Sequence, residues 1–460
     1  MSSKTKITII GGGVGGYPAA IKAARLGAEV TLIEKDQLGG VCLNRGCIPT
    51  KSLLQSGEVI RTIKEAGRFG IQCGDYSIDF GAVMSRKNMV VQQLCQGVEK
   101  LLLAKKIRIV KGTAELLDPS TIQILESNEK IKSDKIIIAT GSKPRKLTLD
   151  GLDAPGILDS DTFLDIGHLP KSAVIVGGGY IGVEFAQILH HIGVDVTILE
   201  ILDSLVAGSD KEIAAALEQS IRGQGIKVFT KVKVKKASGV KSKKKVTFEE
   251  AGKEKTIQTD MVIVSVGRSP DLSNLKVDRL GLANKNNFLV VNDRMETNVP
   301  GIYAAGDVTG GIMLAHVATA EGECAARNAM GHNDRMSYKA IPACIYTSPE
   351  VSSVGMTEEK AREKFDVQVA RFPFHGCGKA LVLDQTFGMV KIVSEKKYGE
   401  VLGVHIIGPH ATDMIAEAVL GISMEMSVDE LARAVHPHPT LSETLMEAAM
   451  SLTGGAIHLP

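Results

Sequence analysis

An internal repeat constrains the fold of this chain more than any other feature of its sequence. Residues 7–34 and 173–200 align without a gap at an offset of 166 positions. Each copy contains an apolar run of strand type, a GxGxxG turn, a helical stretch and a second apolar run that ends in Glu. The glycines and acidic residues of the two copies are Gly11, Gly13, Gly16 with Glu34, and Gly177, Gly179, Gly182 with Glu200. The repeat predicts an α/β protein with two βαβ units.

The spacing within each copy is typical of a turn that binds a dinucleotide. The first Gly allows the tight turn, the second lets the backbone approach a pyrophosphate, and the third allows close packing of helix on strand. The helix N-terminus then faces the anion, and the final Glu can bind ribose hydroxyls and repel a 2′-phosphate. Gly-rich turns in ordinary α/β units are the alternative. Two complete copies favour two Rossmann-like domains, as in an enzyme that carries both FAD and NAD.

Composition and charge argue against several other classes of protein. The 460 residues are 44% hydrophobic and 23% charged, which suits a globular chain of about three domains. The net charge is +2, so we expect no nucleic acid partner. We find no apolar run of about 18 residues, and so expect no membrane span. Seven cysteines without a secretion signal favour a reducing, cytoplasmic compartment.

The chain divides into four predicted units. We expect a first unit with the first dinucleotide turn, a second unit with the second turn, a central unit that contains the apolar strand of IYAAGD (302–307), and a C-terminal α+β domain with antiparallel strands, at residues 1–147, 148–270, 271–340 and 341–460. A Lys-rich run at 231–245 predicts a hairpin with Gly239 at its turn. Its lysines suit a solvated sheet edge, and a docking surface for an acidic partner is the alternative.

A pair of cysteines follows the first repeat directly, in the segment GGVCLNRGCIPTK at 39–51. In a regular helix, Cys42 and Cys47 would be about 7.5 Å apart along the axis, beyond the roughly 7 Å Cα limit of a disulfide. A redox disulfide therefore requires a local distortion, and Gly46 provides the freedom for it. Zinc and inert buried thiols are the alternatives. We expect no metal site, because the other cysteines are isolated in the sequence, at positions 73, 95, 324, 344 and 377.

With these motifs in hand, the chain resembles the flavin-dependent pyridine nucleotide–disulfide oxidoreductases. The resemblance extends over essentially the whole sequence. The motifs that carry it are GGGVGG (11–16), GGVCLNRGCIPTK (39–51), ATGS (139–142), GGGYIGVEF (177–185), GRSP (267–270), AAGD (304–307), YTSPEVSSVG (346–355) and HPHPTLSE (436–443). It implies two Rossmann-like FAD- and NAD-binding domains followed by a C-terminal α+β dimerisation domain.

The resemblance assigns the two dinucleotides to the two repeats. It implies that FAD contacts Gly11, Gly13, Gly16, Glu34, Lys51, Thr140, Gly141 and Asp307. It implies that NAD contacts Gly177, Gly179, Gly182, Glu184, Glu200 and Gly267. Cys47 would lie against the flavin ring, and Cys42 would exchange with the substrate sulfur. Lys51 and Glu184 match a pair that lies near the flavin in this family.

His438 and Glu443 are the acid–base candidates. Thiol–disulfide exchange needs a base that accepts a thiol proton near neutral pH, and histidine suits that task. A carboxylate can hold the imidazole in one tautomer. On sequence alone the HPHP segment is more typical of a turn than of a site. The resemblance implies a catalytic role for His438 in the active site of the other subunit, and therefore a homodimer with shared active sites.

The motifs are most similar to those of family members that oxidise dihydrolipoamide on a lipoyl-bearing partner of 2-oxoacid dehydrogenase or glycine cleavage complexes, with NAD+ as acceptor. A glutathione reductase-like enzyme that reduces another disulfide is the alternative, but no Arg follows Glu200 to bind NADPH. A non-catalytic structural subunit is a further alternative, disfavoured because the catalytic residues are all present. One departure is the segment 375–380, where Cys377 replaces an Asn of many relatives.

Overall fold

The computed structural model describes residues 4–152, 154, 156–240 and 243–458. The first stretch, up to residue 144, contains β1 (Lys6–Ile10), α1 (Gly16–Arg25), β2 (Glu29–Glu34), α2 (Gly40–Arg45), α3 (Cys47–Glu65), α4 (Phe80–Ala104), β3 (Arg108–Lys111), β4 (Ala114–Asp118), β5 (Thr121–Ile124), β6 (Lys130–Lys132), β7 (Lys135–Ile138) and β8 (Ser142–Pro144). A short 3₁₀ helix at Ala66–Phe69 follows α3.

The second stretch contains the second repeat. Its elements are β9 (Ile157–Asp159), β10 (Ser172–Val176), α5 (Tyr180–His191), β11 (Asp195–Leu199), α6 (Lys211–Gly223), β12 (Lys227–Phe229), β13 (Val232–Val240), β14 (Lys243–Glu250), β15 (Lys253–Thr259), β16 (Met261–Val264) and β17 (Arg268–Pro270). A shorter third stretch contains β18 (Asn284–Lys285), β19 (Phe288–Leu289), β20 (Ile302–Ala304) and α7 (Ala315–Ala329).

The two repeats form two parallel five-stranded sheets of the same design. The strand order is β20-β7-β1-β2-β3 in the first sheet and β9-β16-β10-β11-β12 in the second. A three-stranded antiparallel sheet follows in both units: β4–β6 comes after β3 in the first unit, and β13–β15 comes after β12 in the second. Because helices cover parallel sheets on both faces, the inner strands are nearly continuous apolar runs. The predicted α/β class with two Rossmann-like domains is confirmed.

The edge strand of each sheet comes from a different part of the chain. β9 precedes the second repeat, whereas β20 follows the whole of it and pairs with β7. The second nucleotide-binding unit is therefore inserted within the first. Helix α7 closes the first unit by packing on α1, and a Cβ at Gly322 would lie only 2.1 Å from the Gly15 carbonyl oxygen. The domain boundaries that we set from the sequence stay predictions.

The C-terminal stretch forms an α+β domain. Its elements are β21 (Ala343–Ile345), β22 (Glu350–Gly355), α8 (Glu358–Arg362), β23 (Val367–Pro373), α9 (Gly378–Val382), β24 (Met389–Glu395), β25 (Val401–Gly408), α10 (Ala411–Ser423), α11 (Val428–Arg433) and α12 (Glu443–Thr453). The sheet order is β21-β22-β25-β24-β23, antiparallel throughout. Its central strand β25 is buried at every position, as expected of a strand with helices above it.

The Lys-rich run forms the hairpin that its alternation predicted. β13 and β14 pair antiparallel, and their connection at 241–242 lies outside the described residues. Gly239 lies within β13, opposite Lys244, so its predicted place at the turn is wrong. Cross-strand ion pairs such as Lys235–Glu249, at 2.7 Å, partly neutralise the sheet. Separately, none of the helices in the described ranges combines the length and apolar character needed to cross a membrane.

A buried ion cluster joins the second nucleotide-binding unit to the C-terminal domain. The Lys391 side chain on β24 is 2% exposed, and its ammonium lies within 3.1 Å of three carboxylates, those of Asp210, Glu212 and Glu358. Asp210 also caps the N-terminus of α6 by accepting a hydrogen bond from the Glu212 N–H. The cluster fixes α6 against β24, because the fully buried Asp210 carboxylate has Lys391 as its ion-pair partner across this contact.

We expect Lys391→Met to destabilise this domain contact. Removing the cation leaves the fully buried Asp210 carboxylate without its ion-pair partner, which costs about 3–5 kcal/mol. Scanning calorimetry should show a lower unfolding temperature. Lys396→Met is the matched control, because its partner Asp366 is 77% exposed. Such a surface pair contributes under about 1 kcal/mol. Equal losses for the two variants would contradict this account.

Candidate active site

The first Gly-rich turn has no room for side chains at two of its three motif positions. Gly11 has φ +105°, and a Cβ there would lie 2.3 Å from the Ala139 carbonyl oxygen. A Cβ at Gly16 would lie 1.8 Å from the Gly11 carbonyl oxygen. At Gly13 the nearest atom to a Cβ is 3.6 Å away, which leaves the backbone open to a ligand. This is the division of roles that a dinucleotide turn requires.

The second turn repeats this geometry. Gly177 has φ +110°, and a Cβ there would lie 2.5 Å from the Ser265 carbonyl oxygen. A Cβ at Gly182 would lie 2.0 Å from the Gly177 carbonyl oxygen. Gly179 and Gly267 have no atom within 4 Å of a built Cβ, so space for a second dinucleotide lies beside both.

A carboxylate from the second strand of each repeat holds its turn in place. Glu34 accepts hydrogen bonds from the Gly12 N–H at 2.6 Å and from the Asp36 N–H at 2.7 Å. Glu200 accepts the two corresponding hydrogen bonds. One comes from the N–H of the second residue of its own turn, at 2.5 Å, and the other comes from the N–H two positions after Glu200, at 2.7 Å. Each oxygen keeps a further lone pair. Both carboxylates are therefore oriented at the turn and can still accept from a ribose hydroxyl.

Three further residues predicted for FAD lie at the open end of the first sheet. The Thr140 hydroxyl is buried and has no hydrogen-bond partner within the described part of the chain. Gly141 follows with φ +70°. Asp307, at the end of β20, accepts a hydrogen bond of 2.5 Å from the Ser142 hydroxyl. A buried hydroxyl without a partner indicates a missing ligand, so the residues present fit a bound FAD.

The two cysteines lie on either side of a break between helices. α2 ends at Arg45, α3 begins at Cys47, and Gly46 between them has φ −146° and ψ −113°. This is the local distortion that the sequence required, and it brings the Cys42 and Cys47 thiols into hydrogen-bond contact. α2 itself is tied to the first dinucleotide turn, because the Gly39 N–H donates to the Gly12 carbonyl.

The electrostatics of the pair differ sharply between the two thiols. The hydrogen bond from Cys42 lowers the pKa of Cys47, burial and the Glu184 carboxylate raise it, and the Lys51 ammonium lowers it, so that the net pKa is about 7. Cys47 is also the first residue of α3, where the helix dipole favours an anion. The same hydrogen bond and burial raise the pKa of Cys42 well above its ordinary range. When the pair loses one proton near neutral pH, the negative charge therefore lies on Cys47.

The predicted pairing of Lys51 with Glu184 is present. The Lys51 ammonium on α3 lies 2.9 Å from Oε2 and 3.0 Å from Oε1 of Glu184 on α5. Glu184 is buried, and its Oε1 also accepts a hydrogen bond of 2.9 Å from the Tyr346 N–H. The carboxylate is directed at Lys51, so Glu184 belongs to the pair between the two nucleotide-binding units.

The structure distinguishes between the two histidines of the HPHP segment. His436 is held at both ring nitrogens, by the Ala434 carbonyl and by Glu417, at 2.9 Å each. His438 is 78% exposed, and its Nδ1 lies 2.8 Å from Glu443 Oε1. Its Nε2 has no hydrogen-bond partner within the described ranges. His438 is thus the imidazole free to exchange a proton.

Glu443 is fixed from two sides. Its Oε2 accepts a hydrogen bond of 2.7 Å from the Thr440 N–H, and its Oε1 accepts from His438. Partial burial raises the pKa of Glu443, but these two bonds outweigh it and the net pKa is lowered. The carboxylate stays ionised and can stabilise a protonated His438. No hydrogen bond or ion pair joins this His–Glu pair to Cys42 or Cys47 in the described part of one chain.

The unusual Cys377 lies under the loop that carries His438. It is 5% exposed within the C-terminal core, and its thiol donates to the Thr440 carbonyl at 3.5 Å. Its contacts are those of a small packing residue. No group of three or more His, Cys, Asp or Glu within the described ranges is placed to hold a metal ion.

One carboxylate near the site was missed in the sequence. Glu321 is 3% exposed, and it accepts hydrogen bonds of 2.7 Å from the Gly306 N–H and from the Tyr338 hydroxyl. Burial raises the pKa of Glu321. It fixes the turn just before Asp307. Its isolation among the small residues of α7 was a signal that could have identified it, because a lone acid on a buried helix face needs partners.

The fold, the two dinucleotide turns and the redox cysteines define a flavoprotein disulfide oxidoreductase. Residues 5–322 match the family model "Pyridine nucleotide-disulphide oxidoreductase", and residues 341–449 match the dimerisation domain of that family. The chain belongs to the pyridine nucleotide–disulphide oxidoreductase family. It is an NAD-dependent enzyme with FAD and NAD as cofactors, as the sequence predicted, and the dimerisation domain agrees with the predicted homodimer.

Individual relatives within the family carry names that bear on the activity. The chain is 42% identical to a dihydrolipoyl dehydrogenase of Bacillus subtilis, over 98% of this chain and 99% of the relative. It is 41% identical to the dihydrolipoyl dehydrogenase of Geobacillus stearothermophilus, over 99% and 98%. Among solved structures, the HOCl-induced flavoprotein disulfide reductase RclA from Escherichia coli matches with a TM-score of 0.87 at 30% identity, over 96% of this chain and 99% of that one. The relatives' name agrees with the activity predicted from the motifs.

The electrostatics of the cysteine pair lead to a test by pH. In a reduced Cys42→Ser variant the hydroxyl still donates to Cys47, so we expect Cys47 to be alkylated by iodoacetamide with a midpoint near pH 7. In Cys42→Ala the donor is lost, so the midpoint should move to higher pH. Mass spectrometry of the alkylated peptide measures both. Identical midpoints would show that the Cys42 hydrogen bond does not control the Cys47 thiolate.

Proposed function

We propose that the chain acts as a dihydrolipoyl dehydrogenase that oxidises dihydrolipoamide carried on a lipoyl-bearing partner and reduces NAD+ to NADH. The observation that carries this proposal is the thiol pair at the α2–α3 break, with a stabilised thiolate on Cys47 beside two dinucleotide turns. The relatives named dihydrolipoyl dehydrogenase support the choice of substrate.

The two cysteines have different tasks in this proposal. One substrate thiolate attacks the Cys42 sulfur of the oxidised pair, which breaks the Cys42–Cys47 bond and leaves Cys47 as the thiolate. The second substrate sulfur then attacks the mixed disulfide, which releases oxidised lipoamide and leaves Cys42 reduced. The low pKa of Cys47 suits it as the leaving group in the first step, because a more acidic thiol leaves faster. Bound FAD supplies the two-electron link between the dithiol and NAD+.

His438 handles the proton that this exchange requires. The first substrate thiol gives its proton to the free Nε2 of His438 before it attacks. The proton of the second substrate thiol passes to the Cys42 sulfur as that sulfur is released, so that Cys42 ends as a thiol and Cys47 as the thiolate. Glu443 holds Nδ1 protonated and stabilises the resulting imidazolium. Because His438 is exposed on the C-terminal domain, we assign it to the active site of the second subunit in a homodimer. Dimerisation would then be required for turnover.

Selection of the nicotinamide follows from Glu200. Its buried carboxylate is fixed beside the second turn, where it would repel the 2′-phosphate of NADP+ and accept from the ribose hydroxyls of NAD+. Glu34 takes the corresponding position for the adenosine ribose of FAD. The ion pair of Lys51 and Glu184 lies between the two nucleotide-binding units, where the ammonium would stabilise an anion on a cofactor bound beside it.

A reductase of a different disulfide is the second candidate function. The structural likeness to RclA and the departure at Cys377 favour keeping it. A non-catalytic subunit is less consistent, since the Cys42–Cys47 pair and the His438–Glu443 pair are both intact. A cytoplasmic location remains a prediction from cysteine usage.

The proposal predicts rapid NADH formation from dihydrolipoamide and NAD+ by the purified, FAD-loaded protein. Turnover should be abolished in Cys42→Ser, and should fall about 10²–10⁴-fold in His438→Ala, as expected for the loss of a general base. NADP+ should be a poor substitute. The assay follows absorbance at 340 nm, a wavelength at which NADH absorbs and NAD+ does not.

The matched control is His436→Asn, whose amide can still donate to one of the two acceptors that hold that ring, and which should retain most of the turnover. If a flavin-loaded dimer with a reducible Cys42–Cys47 pair does not oxidise dihydrolipoamide, the substrate assignment is wrong. NADH-dependent reduction of another disulfide by the same preparation would then establish the second candidate.

A further inference from the structure

Three parts of the chain meet at the Lys51 ammonium. Lys51 comes from α3 of the first nucleotide-binding unit, and Glu184 comes from α5 of the second. The third part is Tyr346, which directly follows β21 in the C-terminal domain. The ammonium lies 4.5 Å from the centroid of the Tyr346 ring. A cation at this distance is attracted by the negative face of an aromatic ring.

Tyr346 contacts both members of the ion pair. Its ring is adjacent to the Lys51 ammonium, and its backbone N–H donates to Glu184 Oε1 at 2.9 Å. Its hydroxyl makes no hydrogen bond within the described ranges. The ring, and not the hydroxyl, is therefore the functional part of this side chain.

The backbone that carries Tyr346 is itself fixed on α5. Gln187, one turn after Glu184, is fully buried. Its Oε1 accepts from the Ser348 N–H at 2.6 Å, and its Nε2 donates to the Ser348 carbonyl at 2.9 Å. Two polar side chains of one helix thus bind the 346–348 segment at two points. This places the ring by backbone contacts rather than by packing of the side chain alone.

Lys51 also acts on the redox pair. It lies four residues after Cys47 on α3, so the two side chains share one helix face. The titratable and charged groups that act on Cys47 are Cys42 on α2, Lys51 on its own helix, Glu184 on α5 and the Tyr346 hydroxyl after β21. Of these, only Lys51 carries a positive charge. A lysine has four rotatable bonds, so its effect on Cys47 depends on what holds the ammonium in place.

We propose that Tyr346 is a positioning residue, whose ring holds the Lys51 ammonium between the Glu184 carboxylate and the Cys47 sulfur. The inference rests on the proposed function in one respect, the role of Cys47 as the working thiolate. Without the ring, the ammonium keeps its ion pair with Glu184 but is less constrained beside the Cys47 sulfur. The Cys47 thiolate then loses part of its stabilisation.

The test measures Cys47 directly in the full-length, FAD-loaded protein. In a reduced Cys42→Ser background, the rate of iodoacetamide alkylation at Cys47 is followed against pH by mass spectrometry. Tyr346→Leu should raise the alkylation midpoint by about half a pH unit, which means about twofold slower alkylation at pH 7. Tyr346→Phe keeps the ring and should leave the midpoint unchanged. Tyr346→Met is a second ring-free variant, for use if the leucine variant does not fold.

Two controls separate positioning from a general loss of structure. In a Lys51→Met background, Tyr346→Leu should have no further effect on Cys47, because the ring then has no cation to hold. Tyr398→Leu is the matched control elsewhere, since the Tyr398 ring lies 4.6 Å from the Lys397 ammonium in the C-terminal domain. It should leave the Cys47 midpoint unchanged.

Either of two results would overturn the proposal: equal shifts in the Phe and Leu variants, or a shift that persists in the Lys51→Met background. The outcome is separable from that of the dihydrolipoamide assay. A wild-type protein that shows the predicted shifts but no turnover would lose its proposed substrate and keep Tyr346 as a positioning residue.

Discussion

The ion pair between Lys51 and Glu184 is the contact on which the working arrangement of this protein depends. Its two ends lie in different nucleotide-binding units, and the third domain contributes the Tyr346 N–H and ring. Removing either charge would leave the other poorly solvated, which costs more than the pair contributes. The pair therefore fixes α3, and with it the Cys42–Cys47 break, in one position relative to α5 and its dinucleotide turn.

The two nucleotide-binding units solve the same physical problem with the same parts. In both, the first glycine of the motif turns the chain at positive φ, and the third lets the helix approach the strand. A carboxylate then fixes the turn through two N–H groups. The likeness extends beyond the 28 matched positions to the antiparallel sheet after the third strand. What distinguishes them is the segment after the second strand. In the first unit it forms α2 and the cysteine pair, and in the second it leads to α6.

The local features of this protein were predictable from sequence, and the distant contacts were not. The glycine spacing, the paired Glu residues and the need for a distortion at Gly46 follow from fixed backbone geometry over short stretches. Lys51 and Glu184 were paired only through a family resemblance, since 133 residues separate them. The contact of Lys391 with Asp210 spans 181 residues and has no periodic signature. Gly239 suggested a turn, but strand pairing placed it inside β13.

The strand β20 lies far along the chain from β7, its neighbour in the first sheet, and this has a consequence for folding during synthesis on the ribosome. β7 ends at residue 138 and its neighbour β20 ends at residue 304, so 166 residues must emerge before the first sheet is complete. At roughly 5–20 residues per second, that interval is about 8–33 s. During it, the nascent chain exposes an unpaired edge of β7 while the inserted unit, whose five strands lie within residues 157–264, can already close. The second nucleotide-binding unit should thus fold first, although its partner is translated earlier.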